Sequence, residues 1–300
     1  MLNKKKLIIA VLSTGFLSTI QPPSYSNPNF DKESNYINNL DKLTKNKNSD
    51  TYTPRDKLDE YIINGQKTFI TNGQNCDFVL LACSTDPEAG AKGVSLIIVE
   101  ADRDGFSRGR NLEKIGQKAA DTSELFFSDV HVPVSNLLGK EGGGFAVLMN
   151  ELPRERITIA CRALAEAQRA YELTVDYVKE RRAFGKKVYE FQNTQFKLAE
   201  MKTDLAVGWS YIDQCLVKIL EGRLTPEEGA MAKLWTTEAG NKIVDGCLQL
   251  FGGYGYMNEY PISRLFVDSR VRRIYGGTSE IMKLVIGRTC LLYTSPSPRD

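Results

Sequence analysis

Basic side chains cluster in the segment ERRAFGKKVYEFQ, residues 180–192, at a predicted break between two helices. The cluster consists of Arg181, Arg182, Lys186 and Lys187. Guanidinium groups bind phosphate oxygens through two parallel hydrogen bonds, so the segment is a candidate phosphate clamp. A solvated basic turn without a ligand is the alternative that composition leaves open.

Two glycine-rich segments are further candidates for ligand binding. In QLFGGYGYMNEYP, residues 249–261, glycines let the backbone approach a ligand and aromatic rings offer flat apolar faces. In IYGGTSEIMK, residues 274–283, a Gly-Gly pair precedes Thr278 and Ser279 at a helix start, where free amide groups favour a bound anion. Helix termination is the simpler explanation of the first segment, and capping alone is that of the second.

The elements that must position these segments begin with a β-rich region, in which order is expected from about Leu58. The string YIINGQKTFITNG alternates apolar and polar residues around Asn64-Gly65, a dipeptide typical of two-residue turns, which predicts a hairpin. Three further β-type runs are FVLLACS, VSLIIVE and LFFSDVHVP, at residues 78–84, 94–100 and 125–133. Residues 58–140 are therefore expected to form a β-domain.

Beyond the GKEGGG segment at residues 139–144, the apolar period changes from two to about 3.6, which predicts helices. The predicted helices cover residues 152–182, 191–221, 225–251 and 262–271, and a last one runs from after Thr278 to about Arg288. In the third, Thr225 is the expected N-cap and Glu228 completes a capping box. Long antiparallel helices joined by short loops predict a bundle over residues 141–288.

Composition excludes several kinds of site. The chain has one histidine, His131, whereas most zinc sites and Ser-His-Asp triads need at least one and usually more. No metal site is therefore predicted, and His131, in a β-type run, is expected to be structural. The net charge of +2 gives no global field for nucleic acid. The six cysteines form no C-x-x-C pair, which favours buried free thiols over a disulfide framework.

Five segments recur in the order and spacing of one enzyme family: GQKTFITNG, ELPRERITIA, ERRAFGKKVYEFQ, QLFGGYGYMNEYP and RIYGGTSEIMK. On these segments, residues 61–288 closely resemble the acyl-CoA dehydrogenases, flavoenzymes that oxidise acyl-CoA thioesters to 2,3-enoyl-CoA. The resemblance implies an α+β fold in which a partial middle β-domain of hairpins or a barrel-like sheet precedes an antiparallel four-helix bundle. It also implies that FAD lies between the two and reaches a neighbouring subunit.

The resemblance implies which residues hold the ligands. The β-domain residues expected to contact the flavin are Phe69, Ile70 and Thr71. The residues expected to hold the pyrophosphate, the adenosine and the rest of FAD are Arg181, Arg182, Gln192, Gln249, Leu250, Phe251, Gly252, Gly253, Thr278, Ser279 and Glu280. Arg156 and Gly277 are expected to bind the acyl-CoA substrate. Electron-transferring flavoprotein is the expected electron acceptor, and a homodimer or homotetramer is the expected assembly.

The general base is the most informative position of the resemblance. Many family members carry a glutamate directly after the tyrosine of the IYxGTS turn, but this sequence has Gly276 there. Long-chain and isovaleryl-type members, which this sequence resembles, have glycine at that position and a glutamate directly before the arginine of the first bundle helix. That glutamate is Glu155, and Gly276 would leave room for its carboxylate. A solvent-facing Glu155 without a chemical role is the alternative from composition.

Both ends of the chain depart from the resemblance. Residues 1–20 have the basic start and apolar stretch of a secretory signal, and the Asn-, Ser- and Lys-rich residues 21–57 are expected to be disordered. Residues 289–300 do not continue the last helix of the family. Since the family has a helical domain and further strands before the point matching Tyr61, a truncated or misassembled reading frame is expected. The family implies the mitochondrial matrix or bacterial cytoplasm, whereas the first residues imply export.

Two other functions remain compatible with these residues. One is an inactive fragment that acts only as an oligomerising helical module. The other is an acyl-CoA oxidase, which would pass electrons to oxygen instead of a protein acceptor.

Overall fold

The structure is a computed structural model that describes residues 9–10 and 60–292. Most of the signal-like segment and all of the segment predicted to be disordered lie outside the described residues, as do residues 293–300. The described chain consists of a β-region followed by a helical region, which confirms the α+β fold class.

The β-region contains two antiparallel sheets. In the first, the order is β1-β3-β4-β7, and the strands are β1 (Ile9–Ala10), β3 (Phe78–Ser84), β4 (Val94–Glu100) and β7 (Leu137–Leu138). In the second, the order is β2-β6-β5, and the strands are β2 (Glu60–Thr71), β6 (Thr122–Pro133) and β5 (Phe106–Asn111). Apolar side chains of both sheets share one core, which includes Ile63, Leu81, Ile97, Leu125 and Val130. The three predicted β-type runs are confirmed as β3, β4 and most of β6.

The predicted hairpin at Asn64-Gly65 is wrong, because β2 continues through this dipeptide and pairs with β6 along its length. The ladder shifts register between Ile63 and Gly65, which is the mark of a β-bulge. Asn64 Nδ2 donates to Asp129 Oδ1 at 2.9 Å, and the Asp129 amide donates to Asn64 Oδ1 at 2.9 Å. The amide side chain therefore replaces the missing ladder bonds, and the chain bends without reversing.

The sequence patterns missed strand β5, whose residues FSRGRN are mostly polar. It lies at the edge of its sheet, where polar side chains reach solvent and the alternation of apolar residues is weak. The reversal after β2 uses another Asn-Gly dipeptide of the sequence, Asn72-Gly73, since Asn72 has a φ of 63° and its carbonyl accepts from the Asn75 amide.

Up to residue 292, where the described chain ends, five α-helices follow the β-region: α1 (Gly144–Glu180), α2 (Gln192–Leu220), α3 (Pro226–Phe251), α4 (Pro261–Ser269) and α5 (Ser279–Leu292). The capping box at the start of α3 is confirmed, because the Glu228 amide donates to Thr225 Oγ1 and the Thr225 amide donates to Glu228 Oε2. The predicted end of α3 at Phe251 is also confirmed. The helices pack on one core, which includes Leu164, Leu205, Ile212, Ile243 and Val244.

Three helix boundaries differ from the sequence prediction. Helix α1 starts at Gly144, the last residue of the glycine segment, instead of residue 152, and Pro153 lies inside it. Helix α4 ends at Ser269 and continues as the 3₁₀ turn Arg270–Arg273. Helix α5 runs to Leu292, so the chain stays helical beyond the expected boundary at Arg288.

The β-region and the helices are joined by direct contacts. The Gln117 amide donates to Asp268 Oδ1, and the Gly142 amide donates to Ser95 Oγ at 2.8 Å. Among the residues that the structure describes, no helix combines the length and apolar character needed to cross a membrane.

The prediction of buried thiols is confirmed only in part, since Cys76 and Cys161 are partly exposed and Cys290 is exposed. All six cysteines are free thiols, and those that are fully buried are Cys83, Cys215 and Cys247. His131 lies on the exposed face of β6, with Nδ1 at 3.0 Å from Glu60 Oε2 on β2.

Candidate active site

Helix α1 carries Glu155 and Arg156 on its buried side. Arg156 is 7% exposed, and its Nε is buried without a hydrogen-bond partner among the described residues. Glu155 is half-buried, and burial raises the pKa of its carboxyl group while the Arg156 guanidinium opposes that rise. The carboxylate is therefore a stronger base than an exposed glutamate and has a cation beside it.

The turn between α4 and α5 packs against the same helix. Gly276 and Gly277 have φ values of 65° and 93°, a backbone region that favours glycine. A Cβ placed on Gly276 would lie 2.3 Å from Ile159 Cδ1. Ile159 is one helical turn after Glu155 on the same face of α1. The expected space beside Gly276 is thus occupied by an isoleucine methyl group, and Glu155 lies one turn earlier in the helix.

Charged residues that the sequence analysis missed hold this turn. Lys233 on α3 is fully buried, and its Nζ donates to the Gly277 carbonyl at 2.5 Å. Glu238, also on α3, accepts from Ser279 Oγ at 2.6 Å and from Arg273 Nε at 2.8 Å. The sequence pattern could have indicated that Lys233 is buried, since it lies on the buried face of α3 between Ala230 and Thr237.

A buried ion pair fixes the approach to the same turn. Arg272 is 1% exposed, and its Nε donates to Glu166 Oε2 of α1 at 2.7 Å. Its Nη2 donates to the other Glu166 oxygen, and its Nη1 donates to Tyr275 Oη at 2.6 Å. Helices α1 and α3 therefore both hold the chain from Arg272 to Ser279.

A second turn, after α3, borders a cavity of about 490 Å³. Its lining includes Arg181 and all of Gln249, Leu250, Phe251, Gly252 and Gly253. The Phe251 ring stacks on Tyr177 with centroids 4.1 Å apart, and Arg181 lies over the Tyr254 ring at 5.4 Å. No heavy atom of the described residues lies within 4 Å of a Cβ placed on Gly252 or Gly253, so this backbone faces open space.

The remaining predicted cofactor residues lie outside this cavity. Arg182 belongs to the two-residue strand β8 (Arg182–Ala183), which pairs with β9 (Lys186–Lys187), and its Nη2 donates to the Gly185 carbonyl at 3.4 Å. Gln192 is the first residue of α2. Neither side chain is part of the cavity lining.

The predicted flavin contacts of the β-region form a third group at the end of β2. Phe69 is 75% exposed with a φ of 62°, Ile70 is buried and Thr71 is exposed. Among the described residues, no hydrogen bond or ring contact joins these three to either glycine turn.

Thr278 and Glu280 lie at the start of α5, on either side of Ser279. Thr278 Oγ1 accepts from the Ile281 amide at 3.4 Å. The pKa of the Glu280 carboxyl is lowered by a backbone hydrogen bond and by the Thr278 hydroxyl. The structure thus places Arg156 and Gly277 around Lys233, with Glu155 next to Arg156 on α1, and it groups Arg181 with Gln249–Gly253 around the cavity.

Two family models match this chain. Residues 41–130 match the acyl-CoA dehydrogenase middle domain, and residues 142–291 match the acyl-CoA dehydrogenase C-terminal domain. The chain belongs to the acyl-CoA dehydrogenase family. The first match begins inside the segment predicted to be disordered, and the second extends three residues past the predicted domain end at Arg288.

Individual relatives agree with this assignment. The chain is 50% identical over 231 residues to the mitochondrial long-chain specific acyl-CoA dehydrogenase of Sus scrofa, covering 76% of this chain and 54% of that protein. An acyl-CoA dehydrogenase from Geobacillus kaustophilus has a TM-score of 0.77 and 48% identity, over 78% of this chain and 62% of that one. A structure described as PigA with FAD and proline has a TM-score of 0.75 and 29% identity, over 80% and 63%. The chain therefore spans about half to two thirds of the length of these three proteins.

Proposed function

We propose that this chain carries the catalytic half of an FAD-dependent acyl-CoA dehydrogenase, acting in fatty-acid or branched-chain amino-acid breakdown. The observation that carries the proposal is the half-buried Glu155 beside Arg156, on a helix that packs against Gly276. The Glu155 carboxylate would accept the α-proton of the acyl thioester, and a bound flavin would supply the acceptor for the β-hydride. A carbon–carbon double bond forms, so that the product is a 2-enoyl-CoA.

The residues of the second turn fit the adenosine and pyrophosphate end of FAD. The unsubstituted Gly252 and Gly253 let the backbone approach a phosphate, and Arg181 places a guanidinium beside them without an ion pair among the described residues. The unpaired Arg156 Nε fits a polar group of a ligand near Glu155. When bound, FAD supplies the hydride acceptor that no side chain can provide. That PigA is described with FAD supports the same choice of cofactor.

Burial of the base has a chemical consequence for the reaction. The α-proton of a thioester is weakly acidic, so its removal needs a base of raised pKa and a means of stabilising the enolate charge. Burial raises the pKa of the Glu155 carboxyl group and so supplies the base. The adjacent Arg156 cation favours the anionic carboxylate before the proton moves.

The other parts of the proposal follow from family membership. We propose that an acyl-CoA thioester is the substrate, that electron-transferring flavoprotein is the acceptor, and that the protein assembles as a homodimer or homotetramer. The relatives named above are mitochondrial or bacterial, so we propose the mitochondrial matrix or the bacterial cytoplasm as its location. These relatives give the predicted secretory signal no support.

The absorbance spectrum of the purified chain tests this proposal. The chain incubated with FAD and desalted should keep the flavin bands, and anaerobic acyl-CoA of a suitable chain length should bleach them. Hydrogen peroxide formed during turnover in air would favour the oxidase alternative. A colourless helical protein that associates with itself and retains no added FAD would contradict the proposal and favour the oligomerising fragment.

A further inference from the structure

Lys233 is a fully buried cation in the helical core, 0% exposed, on the face of α3 that meets the Gly276 turn. Its Nζ donates to the Gly277 carbonyl at 2.5 Å, and this is the one hydrogen bond of the ammonium group within the described part of the chain. Burying an ammonium group is costly unless it is paired, so a single neutral acceptor is an unusually sparse set of partners.

Charged groups near Lys233 change the energetic cost of burying its ammonium group. The Arg156 guanidinium repels the Lys233 ammonium, while Glu238 and Glu280 attract it. Burial and this repulsion lower the pKa of Lys233 to about 8. Two cations therefore lie near each other beneath the turn, and one of them belongs to the pair Glu155–Arg156 that bears the proposed base.

The hydrogen bond of Lys233 falls at the middle of a segment whose two ends are held by another residue. Glu238 accepts from Arg273 before the turn and from Ser279 after it. Between these points lie two glycines at positive φ, a backbone region that costs glycine little. Within residues 60–292, Lys233 is the only residue whose side chain forms a hydrogen bond with Gly276 or Gly277.

We propose that Lys233 is a positioning residue: its ammonium group holds the Gly277 carbonyl and so fixes the Gly276–Gly277 turn against Ile159 on the helix that carries Glu155. The consequence for the reaction rests on the proposed function, since a displaced turn would change where a ligand lies relative to the Glu155 carboxylate. The geometry of the turn itself does not depend on that function.

Hydrogen–deuterium exchange of the full chain tests the proposal directly. Lys233→Met removes the donor, Lys233→Arg retains a cationic donor, and Lys242→Met is the matched control on an exposed site of the same helix. We expect the amides of residues 274–282 to exchange about tenfold faster or more in Lys233→Met, because a tenfold change corresponds to one lost hydrogen bond. Lys233→Arg and Lys242→Met should stay within about twofold of the wild-type rate.

A second measurement separates positioning from a general loss of stability. Where the wild-type chain reduces flavin with acyl-CoA, Lys233→Met should lower the reduction rate constant about tenfold and leave the half-saturating acyl-CoA concentration within about threefold. Should Lys233→Met unfold, as seen by far-UV circular dichroism, Lys233→Gln replaces it, being neutral and too short to reach Gly277.

The outcomes distinguish this proposal from the proposed function. Unchanged protection of residues 274–282 without the Lys233 donor would overturn it, as would faster exchange combined with an unchanged reduction rate. A wild-type chain that reduces no flavin would contradict the proposed function alone, and the exchange rates would then decide the role of Lys233.

Discussion

The two glycine turns of the helical region are built in opposite ways. Charged side chains of α3 bind the Gly276 turn, since Lys233 donates to the Gly277 carbonyl and Glu238 accepts from Ser279. Ile159 fills the position that a Cβ on Gly276 would occupy. The Gly252 turn is bordered by stacked aromatic rings and an open cavity, and no atom of the described chain lies within 4 Å of its Cβ position. Glycine thus allows close packing in the Gly276 turn and access to a cavity in the Gly252 turn.

The difference matches the two tasks that a flavin enzyme must divide. Proton abstraction needs reacting groups held to within a few tenths of an ångström, which dense packing and buried hydrogen bonds provide. A long cofactor needs a surface where its phosphates can approach backbone amides, which open glycines and a nearby guanidinium provide. We therefore expect substitutions at the first turn to change stability and reaction rate, and those at the second to change cofactor affinity.

The largest effect is expected at the ion pair that holds the first turn. Glu166→Gln leaves the Arg272 guanidinium buried beside a neutral amide, which should lower the free energy of unfolding by about 3 kcal/mol. Glu172→Gln removes the exposed pair with Arg169 on the same helix and should cost less than about 0.5 kcal/mol. Urea unfolding of both variants checks this, and equal costs would show that the turn is not held by this pair.

The glycines themselves give the next contrast. Gly276→Ala and Gly252→Ala both place a Cβ at a positive φ, 65° and 59°, where the backbone favours glycine. Only Gly276→Ala also meets Ile159, so it should cost about 1 kcal/mol more. Thermal unfolding of the two variants measures the difference. A larger loss for Gly252→Ala would reverse the contrast between the turns.

Cofactor affinity should respond at the second turn and not at the first. Arg181→Gln removes the guanidinium from the cavity and should weaken FAD binding about tenfold while leaving unfolding unchanged. Arg182→Gln is the matched control, since Arg182 carries the same charge one residue further on and does not line the cavity. Fluorescence titration of the apoprotein with FAD compares them. Equal losses would support the sequence prediction that both arginines bind FAD.

The smallest expected effect concerns the charge beneath the first turn. The pKa of Lys233 is lowered to about 8 in the folded chain by burial and by Arg156, whereas an unfolded lysine keeps its usual value of about 10.4. Between these values the unfolded state binds more protons, so wild-type stability should rise with pH. The wild type should gain about 1 kcal/mol over Lys233→Met between pH 7 and pH 9. Urea midpoints at both pH values measure it, and a constant difference would contradict a buried charged lysine.

Much of this architecture could be predicted from local patterns. The Thr225–Glu228 capping box and the end of α3 at Phe251 depend on residues close in sequence, and both were predicted. The Asn64-Gly65 hairpin was wrong because its outcome depends on Asp129, far away in the chain and opposite on β6. A turn dipeptide cannot show whether a cross-strand partner will convert it into a bulge.

The candidate site shows the same division between local and distant information. Gly276 and Glu155 were singled out through a family pattern, and the structure places Ile159, one turn after Glu155, against Gly276. Lys233, Glu238 and the Arg272–Glu166 pair were missed, because each acts through contacts between residues 35 or more positions apart. The split of the predicted FAD residues into separate groups also depends on tertiary packing.

Replacement of the proposed base is the most direct test of the account. Glu155→Gln keeps the size of the side chain but cannot accept a proton, and Glu151→Gln is the exposed control one turn earlier on α1. With FAD bound and acyl-CoA added without oxygen, we expect Glu155→Gln to bind the ligand but to reduce flavin about a thousandfold more slowly than the wild type or Glu151→Gln. Flavin reduction by Glu155→Gln at the wild-type rate would contradict the assignment of Glu155 as the base.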